Sequence, residues 1–160
     1  MLKGFAPIIS KTPKALIVGS MPSVVSLSKQ EYYGYAQNRF WKILAAYYQA
    51  DIQSYEAKCT IIRQHHLALW DVIAYCEREG SLDSAAIRKV IPNDLHAFCD
   101  RYKIQVILCN GSKAAQLLHQ HFPDLPLKVI KLPSTSNANR TIKETKLYEA
   151  WFDALKQIEQ

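Results

Sequence analysis

At 160 residues the chain has room for one domain with a proper core and not for two domains, and a composition 49% apolar and 21% charged excludes an intrinsically disordered polymer. No apolar run approaches the roughly 20 residues of a membrane span, and Met1 to Lys11 lacks a signal-peptide core or cleavage site, so a cytoplasmic protein is expected. The net charge of +6, from 20 basic against 14 acidic residues, suits a polyanion such as nucleic acid and equally a mildly basic housekeeping protein.

Ala15-Leu-Ile-Val-Gly19 is a short continuous apolar run stopped by glycine, the pattern of a strand covered on both faces. A loop rich in Ser, Pro and Gly follows from Ser20 to Gln37. Phe40, Trp41, Leu44, Tyr47 and Tyr48 recur at helical spacing and predict a helix from about Asn38 to Ala50. Ile61 to Trp70 holds a further apolar stretch, and Asp71 then stands where it either caps a helix over Val72–Glu79 or serves as a general base. Gly80-Ser81 breaks the chain, and helical turns are expected before Pro92 and after Asn93-Asp94 as far as Tyr102.

Ile104-Gln-Val-Ile-Leu-Cys109 predicts a second strand, and Asn110-Gly111-Ser112 turns into a helix capped by Ser112, with Ala115, Leu117 and Leu118 inward. Leu127-Lys-Val-Ile-Lys-Leu132 alternates like a strand nearer a sheet edge. After a loop from Pro133 to Arg140, Leu147, Trp151, Leu155 and Ile158 form the inner stripe of a final helix. Strands alternating with helices, without repeat or linker, predict a single α/β domain over residues 1–160 whose largely parallel sheet carries helices on both faces. Ligands in such sheets bind outside the carboxyl ends of the strands. Three polar loops arrive there: Gly19-Ser-Met-Pro-Ser23, Asn110-Gly111 and Pro133-Ser-Thr-Ser136.

Cysteines 59, 76, 99 and 109 form no C-x-x-C pair, and neither His65-His66 nor His119-x-His121 has i, i+4 ligand spacing, so free thiols and no metal or cofactor are expected. No Gly-rich phosphate loop, H-E-x-x-H or G-x-S-x-G elbow is present. Instead Gly19-Ser-Met-Pro-Ser23, Tyr32-Tyr33, Asn38-Arg-Phe-Trp41 and Leu132-Pro-Ser-Thr-Ser136 follow one another in an order that resembles the uracil-DNA glycosylase superfamily. The Asn-Arg-Phe-Trp segment is similar to the mismatch-specific branch. Gly-Ser-Met-Pro, Tyr-Tyr and Leu-Pro-Ser-Thr-Ser are similar to the hypoxanthine-DNA (deoxyinosine) branch, as are Leu69-Trp-Asp-Val72, Cys76-Glu-Arg-Glu-Gly-Ser-Leu-Asp83 and Asn110-Gly111.

The resemblance implies a three-layer α/β/α sandwich around a mostly parallel four-stranded sheet. It also implies a monofunctional, monomeric, cofactor-free enzyme that hydrolyses the N-glycosidic bond of a flipped deaminated base, hypoxanthine first, in DNA. Such an enzyme stacks the extruded base and reads its edge. In the family pattern Phe40 takes the stacking position, although it also fits the core of an amphipathic helix. Gly19, Met21 and Pro22 line the first loop. Asn110 has the carboxamide to donate to O6 and accept from N1–H of hypoxanthine, provided something holds the amide against flipping; the turn before Gly111 also explains an Asn there.

Asn38 matches the catalytic residue of the hypoxanthine branch and could orient water through its side-chain oxygen, with Ser20 the second candidate; its place also suits a helix cap. Met21 stands where the mismatch branch has its catalytic Asn and cannot hold water by hydrogen bonding. Pro133, Ser134, Thr135 and Ser136 match the loop that pinches the DNA backbone. Here Asn137-Ala138 replaces the usual Pro-Ala, and Ser23 a commoner Gly. That loop holds no histidine, so imidazolium assistance to the leaving group is not expected. Lys3, Lys11, Lys14, Arg39, Lys113 and Arg140 are candidate phosphate contacts or simply solvated. The rival readings are a uracil or mismatch-specific glycosylase, a non-catalytic module for damaged DNA, and a flavodoxin-like nucleotide binder.

Overall fold

The computed structural model describes residues 1–79, 86–139 and 141–159; Gly80-Ser81 and Arg140 lie outside them. Its first half runs β1 (Leu2–Lys3), β2 (Ile8–Ile9), β3 (Ala15–Gly19), α1 (Val24–Lys29), α2 (Phe40–Tyr48), α3 (Tyr55–Gln64) and β4 (Leu67–Asp71). The second half runs β5 (Ile73–Arg78), β6 (Ile87–Pro92), α4 (Leu95–Tyr102), β7 (Val106–Asn110), α5 (Ser112–His121), β8 (Lys128–Leu132) and α6 (Glu144–Glu159).

β3 is the centre of the molecule because both of its faces are apolar. Ala15 and Ile17 join a core with Phe40, Ile62 and Trp151 from α2, α3 and α6. Leu16 and Val18 join a second core with Phe98 of α4 and Leu117 and Leu118 of α5. Two-residue alternation thus sorts one strand into two cores, which makes the architecture a three-layer α/β/α sandwich. Burying a side chain such as Leu16 or Ile17 stabilises the fold by roughly 1.5–3 kcal/mol before entropy is counted. β4, β3, β7 and β8 run parallel in that order. A fifth strand, the two-residue β2, lies antiparallel on β4 and extends the expected four; it is too short to show a period in the sequence.

The stretch after β4 departs from expectation. Val72–Glu79 is not a helix: Ile73–Arg78 is a strand, paired antiparallel with β1 and β6 in a separate three-stranded sheet. Register shifts between Ile73 and Tyr75 and between Tyr75 and Glu77 bury Ile73 and Cys76, three residues apart, and so imitate helical spacing. Nor is the segment before Pro92 a helical turn. It is the edge strand β6, where a residue without an N–H is tolerated. The expected loop from Ser20 to Gln37 contains the short helix α1, capped by the Ser23 hydroxyl. α5 buries Ala114 rather than Ala115 beside Leu117 and Leu118, and its N-cap is Gly111 rather than Ser112. Gly111 has φ +95°, and a Cβ there would stand 3.0 Å from the Ser134 Cβ. Glycine is what allows the β7–α5 turn and the Pro133–Ser136 loop to meet.

Candidate active site

Parallel registry places Gly19 beside Asp71 and Asn110 beside Leu132, so four strand ends open on one side of the sheet. A cleft of about 510 Å³ lies there, within the usual range for a small-molecule site. Gly19, Ser20, Met21, Pro22, Asn38, Asn110, Ser134, Thr135 and Ser136 all line it. Phe40 and Pro133 do not. Pro133 anchors its loop instead, its carbonyl accepting from Trp151 Nε1 at 2.9 Å.

Thr135, fully buried, joins the two asparagines. Its N–H donates to Asn110 Oδ1 at 3.0 Å, and its hydroxyl accepts from Asn110 Nδ2 at 2.9 Å while donating to Asn38 Oδ1 at 2.8 Å. A backbone N–H can only donate, so the Asn110 amide has one orientation, with one N–H and one lone pair left for a ligand. Asn38 Oδ1 also accepts from Phe40 N–H at 2.9 Å, so Asn38, one residue before the Arg39 N-cap, holds the first N–H of α2 and belongs to the site at once. Its oxygen is then fully used, contrary to the expectation that it orients water, and Nδ2 is the group without a partner among the described residues.

Phe40 is a core residue. It is fully buried, packs edge-on to Trp41 and Trp151, and stacks under Tyr33 with centroids 4.1 Å apart. Trp41 is buried too, its Nε1 donating to Tyr32 O at 2.7 Å, so adjacent aromatics on α2 both point inward because the helix has apolar neighbours on two sides. The aromatic residues that line the cleft are Tyr32, Tyr33 and Tyr35, of which Tyr33 is held at φ +52°, a left-handed conformation costly for a bulky residue.

Asp71 was read from sequence as a cap or a base. The structure removes the cap reading and places the side chain in the cleft wall, 4% exposed, with Oδ2 buried and unpartnered among the described residues. Burial pushes its carboxyl up to about 7, against the opposing influence of the Gly19 backbone. A Cβ on Gly19 would stand 2.6 Å from Asp71 Oδ1 and 2.9 Å from the Tyr33 hydroxyl, so glycine is needed here for space. Burial, and then the Asp71 charge, raises the Tyr33 phenol well above its ordinary range. The Asn110 side chain opposes that shift, yet the Tyr33 hydroxyl has no partner in hydrogen-bonding geometry among the described residues.

Arg39 is committed to structure. Its guanidinium donates to the carbonyls of Thr135, Ser136 and Asn139 and pairs with Glu144, clasping the Pro133–Ser136 loop rather than facing a phosphate. Lys113 lines the cleft and is exposed, whereas Lys3, Lys11 and Lys14 do not line it. Arg78 of β5 was not foreseen: Nη1 donates to Pro22 O at 2.9 Å, while Nε and Nη2 are buried without a partner among the described residues. Arg78 belongs to the Cys76-Glu-Arg-Glu segment that resembles the hypoxanthine branch, but its place at the cleft follows only from β5, whose spacing imitates a helix. Among the described residues no three His, Cys, Asp or Glu side chains are grouped to hold a metal, and no helix is long and apolar enough to cross a membrane. All four cysteines are buried free thiols.

The chain is similar to known proteins in sequence and in fold. A protein from Methanosarcina acetivorans, described as hypoxanthine DNA glycosylase, is 32% identical over 147 residues, 90% of this chain and 92% of that one. A protein of the same description from Methanosarcina barkeri is 31% identical over 159 residues, 97% and 98% of the two chains. The solution NMR structure of a protein assigned as a uracil DNA glycosylase, also from Methanosarcina acetivorans, superposes with a TM-score of 0.85 at 30% identity and covers 99% of this chain and 98% of its own. The family model for the uracil DNA glycosylase superfamily matches residues 6–156, and the chain belongs to that superfamily.

Proposed function

We propose that the protein is a monofunctional DNA glycosylase, a cytoplasmic monomer without cofactor, that takes a flipped deaminated nucleotide into this cleft and hydrolyses its N-glycosidic bond, with hypoxanthine as the preferred base. The observation that carries the preference is the fixed Asn110 amide. Held by Thr135 N–H, it offers one donor and one acceptor in a set order. That order complements O6 and N1–H of hypoxanthine. Adenine presents the reversed pair and requires the amide to flip, leaving the Thr135 N–H facing an NH₂ group; such an unsatisfied buried donor costs about 1–3 kcal/mol. Uracil shares the O/N–H edge, which makes it a natural secondary substrate. The names of the two relatives favour the purine.

Asn38 supports hydrolysis from beside Asn110, across the shared Thr135 hydroxyl. With its oxygen anchored, it donates from Nδ2 to the water that adds to the sugar, and Ser20 is the alternative holder. The test is base release from oligonucleotides carrying inosine, uracil, xanthine or a G·T mismatch, read as strand breakage after alkali. Wild type is expected to break the strand at inosine, and Asn38→Ala to slow this by about a hundredfold or more, the scale of losing one preorganised hydrogen-bonding group. Breakage at uracil alone would transfer the protein to the uracil-directed branch. Tight binding without breakage on any substrate would make it a damage-binding module.

A further inference from the structure

A departing purine needs its developing negative charge neutralised, and the Pro133–Ser136 loop supplies no imidazole. Asp71 is the one carboxyl group among the described residues that line the cleft, and its Oδ2 is buried there with no hydrogen-bond partner. An unpartnered carboxylate in that position is costly, and the protonated acid is a donor still in want of an acceptor. Its placement relative to Asn110 is set by the sheet. Asp71 ends β4, Gly19 ends β3, and Asn110 ends β7 on the far side of β3, two strand spacings or roughly 10 Å away. A planar base lying across the carboxyl end of β3 spans that gap. A purine that turns O6 and N1–H toward Asn110 turns its imidazole ring toward Asp71.

We infer that Asp71 is the acid that protonates N7 of the departing purine, an inference that rests on the glycosylase reading above. The Oδ2–H bond breaks as N7–H forms. The electron pair of the C1′–N9 bond passes into the ring, and hypoxanthine leaves neutral. Water adds its oxygen to C1′, and the proton it releases returns through solvent to the Asp71 carboxylate, which restores the acid. The titratable groups around Asp71 do not compete for this role. Tyr33 and Tyr32 are held in their neutral forms by burial and by the Asp71 charge; the cations that line the same cleft are Arg78, whose Nη1 is committed to Pro22 O, and the exposed Lys113. The ordinary range of a carboxyl lies well below neutrality; burial at this site brings it to about 7, where both protonation states are populated.

The experiment is single-turnover release of hypoxanthine from a deoxyinosine duplex between pH 5.5 and 9, with wild type and Asp71→Asn, beside duplex affinity by fluorescence anisotropy. The wild-type rate is expected to hold below pH 7 and fall about tenfold per unit above it. Asp71→Asn, which keeps the shape and loses the proton, should bind the duplex as wild type does and release base about a hundredfold or more slower, with the alkaline limb gone. A 7-deaza-2′-deoxyinosine duplex, which offers no N7, should be bound by wild type and left intact; this arm needs no variant. Rates that rise with pH through 7 would make Asp71 a base and overturn the inference. So would an alkaline limb retained in Asp71→Asn, or wild-type cleavage of the 7-deaza duplex at the inosine rate. Each of those outcomes leaves the glycosylase reading standing, whereas a wild type that releases no base at any pH overturns both.

Discussion

Replacing Thr135 by valine removes one hydroxyl and keeps the side-chain volume, so it isolates the bond between the two asparagines. Asn38 Oδ1 then keeps only the Phe40 N–H, and Asn110 Nδ2 loses its acceptor, while the Thr135 N–H still fixes the Asn110 oxygen. The expected outcome is hypoxanthine release slowed about tenfold, the scale of one lost hydrogen bond, with adenine still refused and Thr135→Ser close to wild type. Loss in the serine variant with the valine variant close to wild type would show that the methyl group, not the hydroxyl, is what matters. Asp71 makes a separate prediction about stability. An unfolded aspartate titrates near ~4, whereas in the fold Asp71 titrates at about 7. Between those values the folded state binds the extra proton, so stability is greatest below pH 4 on this account and declines as pH rises toward 7, by up to roughly 4 kcal/mol. Asp71→Asn, uncharged throughout, should therefore melt several degrees above wild type at pH 8 and converge with it near pH 4. A gap that does not change with pH would mean that the folded carboxyl titrates like an exposed one.

At the scale of elements, legibility followed the number of covered faces. β3 and β7 could be read because both faces are buried and the strand becomes one apolar run; β8 could be read from its alternation. β5 could not, since two register shifts put Ile73 and Cys76 at helical spacing, and that misreading hid Asp71 behind a cap it does not form. The polar ends of β3 and β7 and the loop after β8 stood out, which is why the residues around Asn38, Asn110 and Thr135 were found. Tyr33 was part of a recognisable Tyr-Tyr pair, yet its role depends on a left-handed backbone and on stacking over Phe40, two things settled only when α2 docks. Phe40 falls in the core rather than the cleft for a related reason. Helical spacing marks one buried face, whereas α2 is walled by the sheet, by α6 and by Tyr55 at the start of α3.

Across the whole molecule the charge of +6 is spread thinly, and the structure withdraws Arg39 into the loop clasp. Lys113 and the two unpartnered nitrogens of Arg78 remain at the cleft, with exposed Val24, Val25 and Tyr35 along its rim to meet flanking bases. A duplex bound here is neutralised at few phosphates, about two at the cleft. Counterion release then predicts that affinity falls roughly tenfold between 50 and 200 mM salt, along a straight line in log–log form. Once the complex is formed, the proposed chemistry predicts a rate of base release that changes little over the same range, because salt screens weakly inside the cleft. Anisotropy of a labelled deoxyinosine duplex and single-turnover release at saturating protein measure the two quantities separately. A steep binding slope with a flat rate is the behaviour of a cleft that grips DNA by its backbone and does its chemistry away from solvent. A flat binding slope would instead assign the cleft to a free nucleoside, because a ligand without a phosphate backbone releases no counterions.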